Sequence, residues 1–334
     1  MQKQDLRVQA IQFWLENELN MEIESLTPAS SDASFRRYFR VVHKQQAYIV
    51  MDAPPEKEDI KPFIKVANLF ASSGINIPKI FHNNFEQGFL LLEDFGNQCF
   101  LDLLDTVNAD SFYQLALSSL FKLQTEIKPA ESNLPAYNHE LLNKELKIFS
   151  DWFLTKKLNL TLSPKEKSLL DKTWTILIHS ALEQPQACVH RDYHSRNLMA
   201  TETNSPGIID FQDAVIGPIS YDLVSLLRDC YISWPEQQVA QWQTHYFQQL
   251  SSAGLVKCDI TSFQRWFDLM GMQRHIKAIG IFSRLQLRDN KPNYIQDIPR
   301  TMDYITLVSS RHPELAEFNS FLQQTIIPAW NLTI

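Results

Sequence analysis

The chain changes character once, near Gly96, and that change limits the folds open to it. Before Gly96 the apolar residues come in short β-branched and aromatic runs. Ser34 to Val42 and Ala47 to Asp52 read as two strands joined by the polar turn His43 to Gln46, and Pro54-Pro55 ends the pair. Glu58 to Ser73 then carries Phe63, Val66, Ala67 and Phe70 at helical spacing, with Gly74 as its stop. Ile77 to Phe81 and Phe89 to Glu93 read as two further strands. After Gly96 the pattern is helical: Ser111 to Gln124, Leu141 to Trp152, Lys165 to Leu182, and most of the chain from Tyr221. One β-rich insertion, Ala187 to Phe211, interrupts it. The expected layout is α+β, with a small β-rich lobe over 1–96, a connector near 93–100, and a larger helical lobe over 97–334 that holds one β-hairpin.

A chain of 334 residues with 44% hydrophobic content has room for two domains and a sizeable core. A net charge of −7 argues against a generally basic surface and a nucleic-acid partner. Val8, Ile11, Leu15 and Leu19 predict an amphipathic helix near the start, without the uninterrupted apolar core of a signal peptide. No stretch is long enough to span a bilayer, so no membrane partner is expected. Cys99, Cys188, Cys230 and Cys258 are widely spaced, which fits a reduced, cytoplasmic protein with free thiols.

The chemistry concentrates in His190-Arg191-Asp192-Tyr193-His194-Ser195-Arg196-Asn197, followed thirteen residues later by Asp210 in Ile208-Ile209-Asp210-Phe211. Phosphoryl transfer from ATP needs a carboxylate at the acceptor hydroxyl and oxygen ligands that hold Mg²⁺ against the phosphates. Asp192, Asn197 and Asp210 supply those groups. Two other readings compete. His190, Asp192 and His194 could ligate a first-row metal in a hydrolase, although no second ligand motif is evident among the other histidines. Asp192 could also be an ordinary loop acid and His190 a satisfied core histidine.

His-x-Asp-x-His-x-x-Asn, the apolar Ile-Asp, Gly217-Pro218 and Tyr221-Asp222-Leu223 together resemble the aminoglycoside phosphotransferase family. That resemblance implies a two-lobed protein-kinase-like fold and dependence on ATP and Mg²⁺. It implies Asp192 as catalytic base, Asn197 and Asp210 as metal ligands, and His190 and Asp222 as braces of the loop. Asp213 and His194 would lie on the acceptor side. Pro28 to Arg40 would cover the nucleotide phosphates. It lacks glycine, so backbone N–H groups of Ser31, Asp32, Ala33 and Ser34 would have to approach them. The strand Tyr48 to Asp52 has no lysine, and Met51 stands about where one is expected. Arg37 or Arg40 would take over that charge, unless both are simply solvated strand residues. Leu91 to Gly96 resembles a hinge, with Glu93 and Phe95 near the adenine.

Met270 to Asp289 reads as a helix in which Arg274, Lys277, Arg284 and Arg288 fall within roughly 80° of one another, at about 100° per residue. Facing a cleft, this stripe suits an anionic acceptor. Facing water, it is a charged helix face. Ser31 to Tyr38, Met51 to Glu56, Phe211 to Ala214, Asp222 to Asp229 and Gly271 to His275 are similar to one subgroup of the family. Its members are bacterial anomeric kinases of N-acetylmuramate and N-acetylglucosamine that serve cell-wall sugar recycling. That likeness implies a small sugar as partner, phosphorylated at its C1 hydroxyl. Arg228, Arg274 or Arg284 would bind the lactyl carboxylate of N-acetylmuramate. An aminoglycoside, choline or homoserine as acceptor stays open, as does a nucleotide-binding pseudokinase scaffold.

Overall fold

The computed structural model describes residues 5–31 and 35–333, and the chain forms two compact units. The first takes the chain up to Cys99 together with Leu198–Asp213, and the second takes Phe100–Asn197 and the chain from Ala214 onward.

The first unit is built on an antiparallel sheet of β1 (Ser25–Ser31), β2 (Arg37–His43), β3 (Gln46–Asp52), β4 (Ile80–Asn84) and β5 (Phe89–Glu93), in the order β1-β2-β3-β5-β4. The β2–β3 turn places Lys44 and Gln45 at φ 49° and 63°. Positive φ at both central residues is the hairpin geometry that matches strand twist, adopted here without the usual Asn or Gly. β1 falls where the sequence suggested a loop. Its run is polar, and Pro28 sits beside a register shift at Pro28/Ser30, a proline position that edge strands tolerate.

Helix α1 (Leu6–Phe13) is capped by Asp5 and runs on as a wider turn over Trp14–Glu18. Ile11, Trp14 and Leu15 are buried with Phe39, Val41, Val50, Phe89 and Leu91, which gives this sheet its own core. α2 (Lys61–Ser72) buries Phe63, Val66, Ala67 and Phe70, and Gly74 at φ 69° ends it. The short ladder Leu198–Met199 with Gly207–Ile208 belongs to this unit, tied in by Ile208 N donating to Asn76 O (2.7 Å). Gly207 is required there, because a Cβ would stand 2.5 Å from the Phe95 ring.

The second unit is helical around one long element, Ile260–Asp289. Every residue from Leu269 to Lys277 is buried, so this is a core helix rather than an amphipathic surface one. Gly280 lets Ile148 and Phe149 approach it closely. The ladder Gln186–Val189 with Val215–Pro218 leads the chain into and out of the loop that carries Asp192. Among the described residues no helix is long and apolar enough to cross a membrane.

Candidate active site

Two buried carboxylates hold the 190–197 loop. Asp222, in the first turn of the helix Tyr221–Leu227, accepts from His190 N (2.6 Å) and Arg191 N (3.0 Å). Asp229, just beyond that helix, accepts from Ser195 N (2.9 Å), Ser195 Oγ (2.6 Å) and Tyr231 N (3.0 Å). Neither is exposed at all. Burial pushes the Asp222 carboxyl up to about 7, against the opposing pull of its two N–H donors.

Between these anchors the loop folds back on Asp192. Asp192 N donates to His190 Nδ1 (3.2 Å), which places the imidazole proton on Nε2. The Asp192 carbonyl accepts from His194 N and from Asn197 Nδ2, both at 3.0 Å. The Asn197 amide therefore turns its nitrogen toward the loop. Arg191 sits at φ 79°, a left-handed position that the surrounding bonds must hold.

Burial raises the pKa of the Asp192 carboxyl, but Lys277, then His194, Arg191 and His190, more than offset it, and the group is held below its ordinary value. Lys277 and Arg191 are fixed in turn by Glu145, with Lys277 Nζ 2.9 Å and Arg191 Nη2 2.5 Å from Oε1. Tyr137 donates to the other Glu145 oxygen, and Lys277 also donates to Tyr221 Oη (3.1 Å). His194 is buried, and desolvation lowers its pKa, so its imidazole is neutral at pH 7.

In the first unit Asp210 follows the strand Gly207–Ile208 at φ 64°, and its Oδ1 accepts from Gln212 Nε2 (2.7 Å). Phe211 anchors it to α2, with ring centroids 4.8 Å from Phe63 and 5.7 Å from Phe70. Arg36 pairs with Glu58, three residues before α2, at 3.2 Å. Its pKa is raised: burial lowers it, and Tyr38, Glu58, Asp213 and Asp210 together outweigh that. Arg37 lies opposite Asp52 in the β2–β3 ladder and pairs with it (2.6 Å) and with Asp5. Arg40 pairs with Asp94 (2.5 Å) and donates to Gly96 O (3.1 Å). Both charges are thus met within the sheet unit. Ser31 closes β1 opposite Arg37, whereas Asp32, Ala33 and Ser34 lie outside the described residues. Glu93 ends β5 exposed, accepting from Lys79 N (3.2 Å), and Phe95 packs over Gly207.

The basic stripe divides. Arg274 and Lys277 are buried toward the loop, Arg284 is half-buried, and Arg288 pairs with Asp289 at the surface. Arg228 is held by Asp268 (2.8 Å) and Glu236 (3.5 Å) and lies over the Phe267 ring. Asp213 is exposed on the first unit.

Among the described residues no group of three or more His, Cys, Asp or Glu could hold a metal by itself. His190 Nδ1 is already bonded to the loop backbone, which leaves the metallohydrolase reading without its ligand set. Asn197 and Asp210 offer only an amide and a carboxylate. Each, in its own unit, carries an oxygen donor of the kind a hard ion takes.

Asp229, Glu145 and Arg36 were not singled out from sequence. Asp229 lay at the end of a recognised stretch. Arg36 was hidden beside two other arginines, and Glu145 had no local signal at all.

The sequence profile of the phosphotransferase enzyme family matches residues 25–257. The N-acetylmuramate/N-acetylglucosamine kinase of Pseudomonas putida is 42% identical over 97% of this chain and 98% of its own length. The kinase of the same name from Neisseria meningitidis is 40% identical over 94% of each. Among solved structures, choline kinase LicA from Streptococcus pneumoniae superposes with a TM-score of 0.65 at 12% identity, over 91% of this chain and 100% of that one. The ADP-bound aminoglycoside phosphotransferase APH(2'')-Ib gives 0.60 at 14%, over 88% and 97%. These likenesses at low identity establish a protein-kinase-like fold. With the profile covering most of the chain and relatives above 40% identity at near full length, the protein belongs to the phosphotransferase enzyme family.

Proposed function

We propose that this chain transfers the γ-phosphoryl group of ATP to the anomeric C1 hydroxyl of N-acetylmuramate or N-acetylglucosamine, in the cytoplasm, as a step of cell-wall sugar recycling. The observation that carries it is the Asp192 loop, a carboxylate kept ionised by fixed cations and pinned at both ends by buried acids. The near full-length relatives supply the acceptor class.

The Asp192 carboxylate orients the C1 hydroxyl and takes its proton as the oxygen bonds to the γ-phosphorus and the bond from that phosphorus to the β–γ bridging oxygen breaks, with ADP as the leaving group. A carboxylate held ionised is ready to accept the hydroxyl's hydrogen bond, and the loose transition state leaves positioning as its main task. Asn197 and Asp210 would hold Mg²⁺, which would neutralise charge on the phosphate oxygens. Arg36, which pairs with Glu58 and is acted on by Asp210 and Asp213, joins Arg37 and Arg40 as a source of the phosphate-facing charge. Glu93 and Phe95 would border the adenine, and Ser31, at the end of β1, the phosphates.

The fixed positive charges around Asp192, Lys277 and Arg191 first among them, disfavour choline or an aminoglycoside as acceptor. ADP release measured with N-acetylmuramate, N-acetylglucosamine, choline and an aminoglycoside should be fast with the two amino sugars alone, and abolished in Asp192→Asn. Turnover confined to a cationic acceptor would replace the amino-sugar reading.

A further inference from the structure

We infer that the second unit carries a carboxylate-binding subsite beside the Asp192 loop, centred on Arg274, and that this subsite separates the charged amino sugar from the neutral one. The inference rests on the amino-sugar reading above.

Arg274 projects from the core helix Ile260–Asp289 and is 6% exposed. Its one hydrogen bond among the described residues is from Nη1 to the Cys230 thiol (3.4 Å), and no carboxylate lies within 4 Å of it. A sulfur atom is a weak acceptor and carries no compensating charge. Other buried cations of this unit are treated differently. Lys277 and Arg191 share Glu145, and Arg228 has Asp268. Asp229 and Asp192 act on Arg274 only through space, without an ion pair, and a buried guanidinium that no carboxylate meets directly can take an anion from outside the chain.

Two more groups converge on the same pair of residues. Arg196, on the Asp192 loop, lies over the Tyr231 ring at 3.6 Å and has no carboxylate partner among the described residues. The His194 ring meets Tyr231 edge-on at 5.1 Å, and its buried Nδ1 has no hydrogen-bond partner among the described residues. Cys230 and Tyr231 are consecutive, so Arg274, Arg196 and His194 surround one short segment. Asp229, the residue before it, already receives three donors from Ser195 and Tyr231. The carboxylate that such a pocket takes must be borne by a ligand whose reacting hydroxyl is at Asp192, two residues from His194. Of the two amino sugars, only N-acetylmuramate carries one, on its lactyl ether. Arg274 presents a planar fork that a carboxylate can meet with both oxygens.

The test is a chemical double-mutant cycle. kcat/KM is measured for N-acetylmuramate, its lactyl methyl ester and N-acetylglucosamine, with wild type and Arg274→Met, a substitution of similar length that leaves the site apolar. The acid-to-ester preference should fall at least tenfold in the variant, and the preference for N-acetylmuramate over N-acetylglucosamine should fall with it. Arg196→Gln should move both ratios in the same direction by less, and it tests the subsite if Arg274→Met fails to fold. Turnover of both sugars with ratios unchanged in the variants overturns the subsite and spares the amino-sugar reading. No turnover of either sugar by wild type overturns both.

Discussion

Replacing Asp222 by Asn takes one acceptor from the start of the 190–197 loop and sets a donor in its place. The carboxylate now meets two backbone N–H groups, at 2.6 Å from His190 and 3.0 Å from Arg191. An amide has one oxygen, so whichever N–H it keeps, the other faces an NH₂ group with no water to replace the lost bond, since Asp222 is fully buried. A hydrogen bond contributes about 0.5–1.5 kcal/mol to a neutral acceptor and about 1.5–3 kcal/mol to an ionised one, between which Asp222 stands near pH 7, and a buried donor left unmet costs about 1–3 kcal/mol. The loss falls on the residues that lead directly into Asp192 rather than on the core. A misplaced base of that order, about 2 kcal/mol, lowers kcat roughly 30-fold. The same perturbation lowers the melting temperature by a few degrees, about 2–4 °C per kcal/mol for a domain of 150–250 residues. Steady-state kinetics with ATP and amino sugar should show the fall in kcat with both KM values within about threefold. Asp222→Asn at wild-type kcat would refute the bracing role.

Lys277→Met removes the foremost cation acting on Asp192. The pKa of that carboxyl is depressed, so activity is full above it and lost as pH falls through it. Without Lys277 the acid limb of kcat/KM should move to higher pH, and an unmoved limb would remove Lys277 from the account. Gly280→Ala would put a Cβ 2.6 Å from Phe149 N, a backbone atom that cannot yield like a side chain. Overpacking by about 1–3 kcal/mol should outweigh the gain of about 1 kcal/mol in helix propensity and lower the melting temperature. A raised one would mean that the two helical segments separate easily. Burial pushes His275 down to about 3, and its Nε2 meets Arg228 O at 2.8 Å. The unfolded chain takes up that proton near pH 6.5, so stability is full above 6.5 and declines as pH falls toward 3, by about 2 kcal/mol at pH 5. Urea unfolding at pH 7.5 and 5 should show a smaller drop in His275→Gln than in wild type, and equal drops would contradict it.

The local elements were legible where a period or a turn marks them. Phe63, Val66, Ala67 and Phe70 gave α2, and the aromatic and β-branched runs gave β2, β3 and β5. The His190–Asn197 and Asp210 pattern was legible because chemistry fixes its spacing. β1 was not, since an edge strand needs neither alternation nor freedom from proline. The partners of the site were hidden for another reason. Glu145 lies far from Arg191 and Lys277 in sequence, and only packing brings the three together. The basic stripe on the long helix was visible as a stripe, but which of its members would be neutralised depended on acids elsewhere. Arg40 illustrates this too, since its partner Asp94 lies two strands away at the end of β5.

The most direct test is phosphorus NMR of the purified protein with ATP, Mg²⁺ and N-acetylmuramate, run beside Asp192→Asn. The account predicts a sugar-1-phosphate resonance that grows as the ATP γ-signal falls, and that is absent with the variant. A phosphate ester at another hydroxyl, or a C1 phosphate formed equally well by Asp192→Asn, would contradict it.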